Sequence, residues 1–340
     1  MKAISYRETG DPEVLRLTER PVPEPGPGEV RVQVKVSGVN PTDWKNRRGS
    51  RPGESLPFPE VVPNQDGAGI VDAVGPDVTG LEAGQRVWLW EAAWQRADGT
   101  AQEYVVLPAR QAVPLPDSAS FDLGASLGIP ALTAHRALTV GESGPDRLSP
   151  GALTGRSVLV AGGAGAVGHA AIELARWAGA RVITTVSSPE KARLASAAGA
   201  HHVVDYRTEN AAEAIRELVP DGVDLVVEVA PGPNAALNQA VLAPNGTIAV
   251  YANNGGEELT LTIRPHMVTN ARYQFVLVYT VPSQAKDHAV ADVSAAVADG
   301  ALRVGEDAGL PLHRFPLAST ADAHAAVEKA VVGKVLIDVA

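Results

Sequence analysis

Hydrophobic and polar residues alternate near the start of the chain. Four valines are separated by charged or polar residues, namely Val30, Val32, Val34 and Val36. This period of two predicts a half-buried β-strand. Three further short β-like runs follow, with Gly, Pro and Asp turns between them, at residues 68–74, 85–90 and 103–107. The first third of the chain is therefore predicted to be mostly β.

The pattern changes after Pro116. Residues 121–138 are typical of helical segments interrupted at Pro130, and the polar residues 141–155 indicate a junction between domains. From Ser157 onward, continuous apolar β-runs alternate with Ala-rich helical patterns. Strands of that kind, separated by helices, are typical of a parallel sheet covered on both faces. The predicted fold is therefore α/β, with a β-rich first domain and a doubly wound second domain.

A glycine-rich loop directly follows the first of these apolar strands. It fits the pattern G-x-G-x-x-G and consists of Gly163, Ala164, Gly165, Ala166, Val167 and Gly168. In this context the first glycine permits a tight turn, the second lets a pyrophosphate approach and the third packs helix against strand. Because strand, loop, helix and second strand follow in register, the loop predicts a dinucleotide site rather than a simple turn.

The end of the second strand distinguishes the two nicotinamide dinucleotides. An acidic residue there would accept a hydrogen bond from the ribose 2′-hydroxyl of NAD, but residues 184–191 are TTVSSPEK, without a carboxylate at the strand end. Ser187, Ser188 and Lys191 suit a 2′-phosphate, which favours NADPH. Alternatively, Ser188 and Pro189 simply begin a helix and Lys191 is solvated. Further candidates are Arg193, Tyr206 and Arg207.

Composition restricts the partners and the compartment. The 340 residues carry a formal net charge of −10, so no nucleic-acid partner is expected. Charges come too early at the N-terminus for an apolar signal core, and prolines interrupt the longest uncharged stretch, residues 229–256. A soluble, cytoplasmic protein without a membrane partner is expected. Cysteine is absent, which excludes disulfides, thiolate nucleophiles and zinc sites that use sulfur.

The chain begins with a β-rich domain and continues with a parallel-sheet domain that carries the G-x-G-x-x-G loop. In this order of domains it resembles the medium-chain dehydrogenase/reductase superfamily, specifically its zinc-free quinone oxidoreductase (zeta-crystallin-like) branch. The segments that carry the resemblance are GVNPTDWKNRRG (38–49), NQDGAGIVDAVG (64–75), LGIPALTAHRAL (127–138), SVLVAGGAGAVGHAAIELARWAGARV (157–182), AAGAHHVVDYR (197–207) and GKVLIDV (333–339). The resemblance implies a GroES-like catalytic domain over residues 1–123 and 282–340, and a Rossmann domain over residues 124–281. It also implies a homodimer, paired through the strand at residues 272–279.

Zinc-containing alcohol dehydrogenases of this superfamily hold their catalytic zinc through Cys, His and Cys. The resemblance places Asn40, Gln65 and Ile129 at those positions. An amide oxygen is a poor zinc ligand and isoleucine is none, so no zinc is expected. Without a metal to polarise a carbonyl, the substrate should already be electrophilic, such as a quinone or a conjugated enone.

The resemblance also implies the site residues, in a cleft between the two domains. Candidate catalytic residues are Asn40, Asp43 and Lys45: the Asn40 amide donates a hydrogen bond, and Lys45 stabilises an oxyanion or delivers a proton. The same segment suits a turn with a helix cap at Thr42 or Asp43. Candidate pocket walls are Trp44, Trp90 and Trp94. Core packing is the alternative for the tryptophans, and it is favoured for Trp88. Further cofactor contacts implied by the resemblance are Thr133, Tyr251, Asn253 and Lys334.

The predicted function is an NADPH-dependent, zinc-independent quinone oxidoreductase that transfers hydride from nicotinamide C4 to a quinone. A reductase of enones or 2-enoyl thioesters is the enzymatic alternative on the same scaffold. Short-chain reductases are excluded, because no tyrosine of the chain is followed by lysine in a Y-x-x-x-K spacing. The non-enzymatic alternative is an NADPH-binding structural or RNA-binding protein, and the acidic charge argues against RNA.

Overall fold

The computed structural model describes residues 1–51, 53–142 and 144–339, and the chain divides into two compact units. Unit 1 comprises Met1–Ile129 and Leu312–Ala340, and unit 2 comprises Pro130–Pro311. Residues 282–311 therefore belong with the second unit, and residues 124–129 with the first, in contrast to the predicted boundaries. One contact that joins residues 282–311 to unit 2 is at Asp292, whose carboxylate accepts a hydrogen bond from the Leu148 backbone N–H at 2.6 Å.

Strands dominate the first part of the chain, and helices alternate with strands in most of the rest. The first part contains β1 (Lys2–Ser5), β2 (Arg16–Glu19), β3 (Glu29–Val39), α1 (Pro41–Arg48), β4 (Asp66–Val74), β5 (Arg86–Leu89), β6 (Tyr104–Pro108), β7 (Ala112–Pro114) and α2 (Phe121–Leu138). The middle part contains β8 (Ser157–Ala161), α3 (Ala166–Trp177), β9 (Arg181–Val186), α4 (Pro189–Ala197), β10 (His202–Asp205), α5 (Ala211–Leu218), β11 (Val223–Glu228), α6 (Ala235–Val241) and β12 (Leu242–Val250). The last part contains α7 (Ile263–Thr269), β13 (Arg272–Phe275), α8 (Ser283–Ala298), β14 (Leu312–Pro316), α9 (Thr320–Glu328) and β15 (Lys334–Asp338).

Unit 1 is built on a sheet in the order β14-β15-β3-β4-β5-β7, with β6 also paired to β3. The predicted alternation in β3 is confirmed, because Val30, Val32 and Val34 are completely buried. The chain's C-terminal strand β15 pairs antiparallel with β3, and β3 pairs antiparallel with β4. Three segments that are distant in sequence are thereby adjacent in one sheet.

The predicted interruption at Pro130 is wrong, since α2 continues through it. Proline removes one backbone hydrogen bond and normally costs a helix interior about 3 kcal/mol. Residues 123–135 are all buried, so packing on every side outweighs this local cost.

Unit 2 contains six parallel strands in the order β10-β9-β8-β11-β12-β13. This is the doubly wound order 3-2-1-4-5-6, in which ligands bind beyond the carboxyl ends of the strands. The prediction of a parallel-sheet domain is confirmed. Within the described part of the chain, no helix has the length and apolar character needed to cross a membrane.

Candidate functional site

The glycine-rich loop lies at the carboxyl end of β8, where β8 and β9 pair in the middle of the sheet. The left-handed backbone position of the turn belongs to Gly162, with φ +71°, which directly precedes the motif. Gly163 is needed for packing, because a Cβ there would lie 2.2 Å from Thr184 Oγ1. A Cβ on Gly168 would lie 2.4 Å from the Gly162 carbonyl oxygen, so Gly168 lets α3 approach the turn.

Gly165 differs from its two neighbours in the motif. Its φ is −83°, and the nearest atom to an added Cβ is the Gly162 carbonyl oxygen at 3.5 Å. Neither backbone conformation nor packing within the chain therefore requires glycine here. Gly165 is the N-cap of α3 and has no side chain to cap the free amides of Ala166 and Val167. This is the geometry expected where an anion approaches a helix N-terminus.

The carboxyl end of β9 leads directly into the residues predicted to hold a 2′-phosphate. Ser188 is the N-cap of α4 and its Oγ accepts a hydrogen bond from the Lys191 backbone N–H at 3.3 Å. The helix-cap alternative is therefore correct for Ser188. Lys191 Nζ donates to Ser187 Oγ at 3.0 Å, which brings an ammonium and two hydroxyls together at this strand end.

The three other candidates for the 2′-phosphate fall into different positions. Tyr206 is exposed, and its backbone N–H donates to the Val186 carbonyl at 3.2 Å, beside the end of β9. Arg207 follows it in the same turn. Arg193 instead forms an ion pair with Glu306, which satisfies its charge away from Ser187.

A groove of about 350 Å³ opens in unit 2 where β12 and β13 end. Tyr251 and Asn253, both predicted cofactor contacts, line it together with Phe275 and Leu277. Burial raises the pKa of Tyr251, so its phenol stays protonated at neutral pH. Asn253 donates to Glu257 at 2.6 Å. Thr133, the remaining predicted contact in unit 2, lies buried in α2.

A buried polar cluster in unit 1 surrounds Asn40, the residue that directly follows β3. Lys334 Nζ donates to Asn40 Oδ1 at 2.7 Å, and Asn40 Nδ2 donates to Asp66 Oδ2 at 2.6 Å. Lys334 Nζ lies 3.5 Å from Asp66 Oδ2, and the Ile129 N–H donates to Asp66 Oδ1 at 2.9 Å. All three polar side chains are at most 2% exposed. Lys334, predicted as a cofactor contact, is therefore engaged inside unit 1.

Sheet register explains how this cluster forms. Gly38 in β3 pairs with Leu336 of β15 on one side and with Asp66 of β4 on the other. A Cβ on Gly38 would lie 3.2 Å from Lys334 Cε and 2.0 Å from the Ala125 carbonyl oxygen. Glycine at position 38 thus leaves room for the Ala125 carbonyl and for the lysine stem that reaches Asp66.

Burial dominates the electrostatics of the cluster. It raises the pKa of Asp66 and lowers the pKa of Lys334, while the opposite charge of each partner counters both effects. Asp43 lies beside the pair, and burial together with the Asp66 charge raises its pKa to about 8. Two carboxyl groups and one ammonium therefore share a site in which Asp43 is largely protonated at neutral pH.

The first turn of α1 gives Asp43 a structural task. Asn40 is the N-cap of this helix, and its backbone N–H donates to Asp43 Oδ2 at 2.7 Å. The predicted cap at Thr42 or Asp43 is thus shifted to Asn40. Lys45 and Trp44 do not join the cluster: Lys45 is exposed, and its Nζ lies 5.9 Å from the centre of the Trp44 ring.

Two of the tryptophans are buried, as the core-packing alternative expects. Trp88 is 1% exposed and Trp90 is 2% exposed, with Trp90 Nε1 donating to the Arg110 carbonyl at 3.3 Å. Trp90 is therefore buried in unit 1, and its place in a pocket wall stays a prediction. Trp94 lies half-buried in the turn that follows.

The three positions that hold zinc in the zinc-containing relatives do not suit the metal here. Asn40 Oδ1 already accepts from an ammonium, Gln65 Oε1 accepts from the Ala93 N–H at 3.2 Å, and Ile129 has an apolar side chain. A lysine ammonium beside these positions would also repel a dication. Across the described residues, no group of three or more His, Cys, Asp or Glu side chains could hold a metal ion.

Sequence reasoning missed Asp66 and Gly38 as site residues. Asp66 directly follows Gln65 in the quoted segment NQDGAG, so its position was visible. Its partner was not, because Lys334 lies 268 positions later and only the pairing of β15 with β3 brings the two together.

Comparisons with known proteins match both units. A family model for a zinc-binding dehydrogenase matches residues 166–295, and one for an alcohol dehydrogenase GroES-like domain matches residues 26–117. The quinone oxidoreductase of Rattus norvegicus is 34% identical over 262 residues, which are 76% of this chain and 75% of that protein.

Two solved structures are similar along the whole chain. One is Escherichia coli quinone oxidoreductase complexed with NADPH, with 26% identity, a TM-score of 0.80 and coverage of 99% of this chain and 100% of that one. The other is an NAD-dependent alcohol dehydrogenase, with 30% identity, a TM-score of 0.84 and full coverage of both chains. With both domain types matched and a relative above 30% identity over three quarters of its length, this chain is an oxidoreductase of the medium-chain dehydrogenase/reductase superfamily.

Proposed function

We propose that this protein is an NADPH-dependent, zinc-independent quinone oxidoreductase. The observation that carries the proposal is the set of contacts at Asn40, Gln65 and Ile129. Hydrogen bonds to Lys334 and Ala93 already engage the two amides, and the third side chain offers no ligand atom. A substrate reduced here needs an electrophilic carbon of its own, and a quinone has one.

The cofactor proposal rests on the two strand ends of unit 2. Bound NADPH supplies a hydride from C4 of its nicotinamide ring. The N-terminus of α3 at Gly165 offers amide donors to the pyrophosphate, and Lys191 with Ser187 offers an ammonium and a hydroxyl to the 2′-phosphate. Tyr206 and Ser188 border the same strand end. Tyr251 and Asn253 line the groove at the end of β12, where the nicotinamide half would lie.

The substrate proposal rests on Asn40. Reduction of a quinone by hydride gives an oxyanion, which then takes a proton to form the hydroquinone. Asn40 Nδ2 carries two hydrogens and donates one of them to Asp66, and we assign the other as the donor to the developing oxyanion. Orientation and this donated hydrogen bond are then the contribution of the chain to the reaction.

An assay of NADPH oxidation with a panel of acceptors tests the proposal. We expect turnover with 1,4-quinones, with rates that a chelator such as EDTA leaves unchanged. The panel also contains enones, enoyl thioesters and aldehydes, because one structural relative is an alcohol dehydrogenase. Turnover of aldehydes alone would overturn the proposal, and turnover of enones or enoyl thioesters without quinones would favour the double-bond reductase.

We also propose that two copies associate through β13. This strand is the edge of the six-stranded sheet, and unpaired strand edges readily take a further strand. Large apolar side chains near it are exposed, among them Ile263, Met267, Val268 and Phe275. An exposed apolar patch of this kind is typical of a protein interface.

A further inference from the structure

We propose that Lys334 is a positioning residue of the reaction, which fixes the amide of Asn40 through a buried pair with Asp66. The inference rests on the proposed function and deepens it, because it assigns the group that orients the hydrogen-bond donor. Lys334 lies in the last strand of the chain, and Asn40 and Asp66 lie beside the next two strands of the sheet.

The chemistry of the two partners determines which way the Asn40 amide faces. An ammonium can only donate, so the atom 2.7 Å from Lys334 Nζ must be the amide oxygen. An ionised carboxylate can only accept, so the atom 2.6 Å from Asp66 Oδ2 must be the amide nitrogen. A flipped amide would place the Asn40 nitrogen against the Lys334 ammonium and the Asn40 oxygen against the Asp66 carboxylate. The direction of the remaining N–H of Asn40 is therefore fixed before any substrate binds.

The fold reserves space for this arrangement at two glycines. Gly38 leaves the path for the lysine stem, as an added Cβ would lie 3.2 Å from Lys334 Cε. Gly128 leaves room for the carboxylate, as an added Cβ would lie 2.0 Å from Asp66 Oδ1. The Ile129 N–H then binds that same oxygen at 2.9 Å. Asp66 is consequently held from two sides, and the Lys334 ammonium is held against it.

The charged groups around Lys334 and Asp66 identify Lys334 as the cation that balances this buried carboxylate. Asp66 and Asp43 are the charged or titratable groups that act on Lys334. The charges of Asp43 and Arg47 both act on Tyr6, and Arg47 is paired with Glu328 at 2.7 Å. Arg47 is thus already paired with a carboxylate, which it shares with Arg48, and this leaves Lys334 to balance Asp66. Without Lys334, Asp66 would be a buried carboxylate that lacks a cation, and the amide of Asn40 would lose one of its two constraints.

A double-mutant cycle tests whether Lys334 acts through Asn40. Lys334→Met and Asn40→Ala are made singly and together in the full chain, and NADPH:quinone activity is measured for each. We expect kcat to fall roughly 10- to 100-fold in each single variant, because catalysis is that sensitive to misplacement of a positioned group. The double variant should be no slower than Asn40→Ala alone. If the fold-losses in kcat of the two single variants multiply in the double variant, the two residues act independently, and this result would overturn the proposal.

NADPH affinity, measured by fluorescence titration, separates positioning from cofactor binding. We expect the Kd for NADPH to change less than twofold in Lys334→Met. A Kd raised tenfold or more with kcat unchanged would make Lys334 a cofactor contact and would contradict the proposal. The matched control is Lys329→Met, at an exposed lysine of the same C-terminal segment, which should retain wild-type kcat and Kd.

A second variant keeps the test decisive if Lys334→Met does not fold. Lys334→Met combined with Asp66→Asn removes both buried charges, and an amide at position 66 can donate as well as accept, so the direction of the Asn40 amide is no longer fixed. We expect this protein to fold and to show the same loss in kcat. Wild-type kcat in it would overturn the proposal. If wild-type protein reduces no acceptor in the panel, the proposed function itself fails, and the inference fails with it.

Discussion

Lys334 Nζ and Asn40 Oδ1 form a hydrogen bond of 2.7 Å across 294 positions of sequence. The contact joins the last strand of the chain to the residue that begins its first helix. Because both side chains are almost completely buried, the contact depends on the register of β15 against β3 and on the absence of a side chain at Gly38. The geometry of the site is thus determined by the sheet of unit 1.

Gly38→Ala should therefore destabilise unit 1. Its Cβ would lie 2.0 Å from the Ala125 carbonyl oxygen, which is backbone and cannot move alone. Overpacking of this kind costs about 1–3 kcal/mol or more, and urea unfolding measures it. Gly26→Ala is the control, because its Cβ would meet only the flexible Glu29 carboxylate at 3.2 Å. Equal midpoints for the two variants would contradict the argument.

Gly165→Ala should weaken NADPH binding while leaving the fold intact. The chain leaves room for a methyl group here, with no atom nearer than 3.5 Å, but a pyrophosphate at the N-terminus of α3 would meet it. We expect a Kd for NADPH raised at least tenfold at an unchanged melting temperature.

Gly163→Ala is the matched comparison in the same loop. Its Cβ would lie 2.2 Å from Thr184 Oγ1 and 2.8 Å from Ile172 Cδ1, so this variant should lower the melting temperature. If Gly165→Ala bound NADPH as tightly as wild type, the loop would not be the pyrophosphate site.

Lys191→Glu should raise the KM for NADPH far more than the KM for NADH. The ammonium lies 3.0 Å from Ser187 Oγ at the end of β9, and a carboxylate there repels a 2′-phosphate but accepts from a 2′-hydroxyl. Arg193→Gln on the same helix is the control, because its partner is Glu306. Equal effects of Lys191→Glu on the two cofactors would rule out this residue as the phosphate contact.

The sequence was sufficient for the architecture of unit 2 and for the position of its glycine-rich loop. Apolar runs and a glycine motif are local signals, and they predicted the parallel sheet and its loop. The task of each glycine was less accessible, because the need for glycine at position 163 comes from the packing of Thr184, which lies in the next strand.

The site in unit 1 was predictable only in part. The motif identified Asn40, but Lys334 was assigned to the cofactor, since nothing local indicates that β15 inserts beside β3. Trp90 was assigned to a pocket wall because aromatic clusters look alike in a core and at a surface until the sheet is built. Both assignments stay predictions, and the contact between Lys334 and Asn40 depends on strand pairing that no local pattern reveals.

Two copies of the chain should associate through β13, and Phe275→Lys should separate them. Phe275 ends this edge strand and is 64% exposed, so a lysine there places like charges within the proposed interface and buries no charge in the single copy. Sedimentation should give a dimer for wild type and a monomer for the variant. The exposed Leu17 on β2 in unit 1 gives the control Leu17→Lys, which should remain dimeric. A wild-type protein that sediments as a monomer would contradict the proposal.

His324 should make folding stability fall with acid. It is completely buried, its Nε2 lies 2.9 Å from Asn64 Oδ1, and burial together with the Arg47 charge lowers its pKa to about 3. An unfolded histidine titrates near 6.5, so between these values the unfolded state binds more protons and stability is lost as pH falls from about 6.5 toward 3. The slope from this one group approaches about 1.4 kcal/mol per pH unit. Urea unfolding of His324→Gln across this range should show a slope smaller by about that amount, and identical slopes in both proteins would show that another group controls acid unfolding.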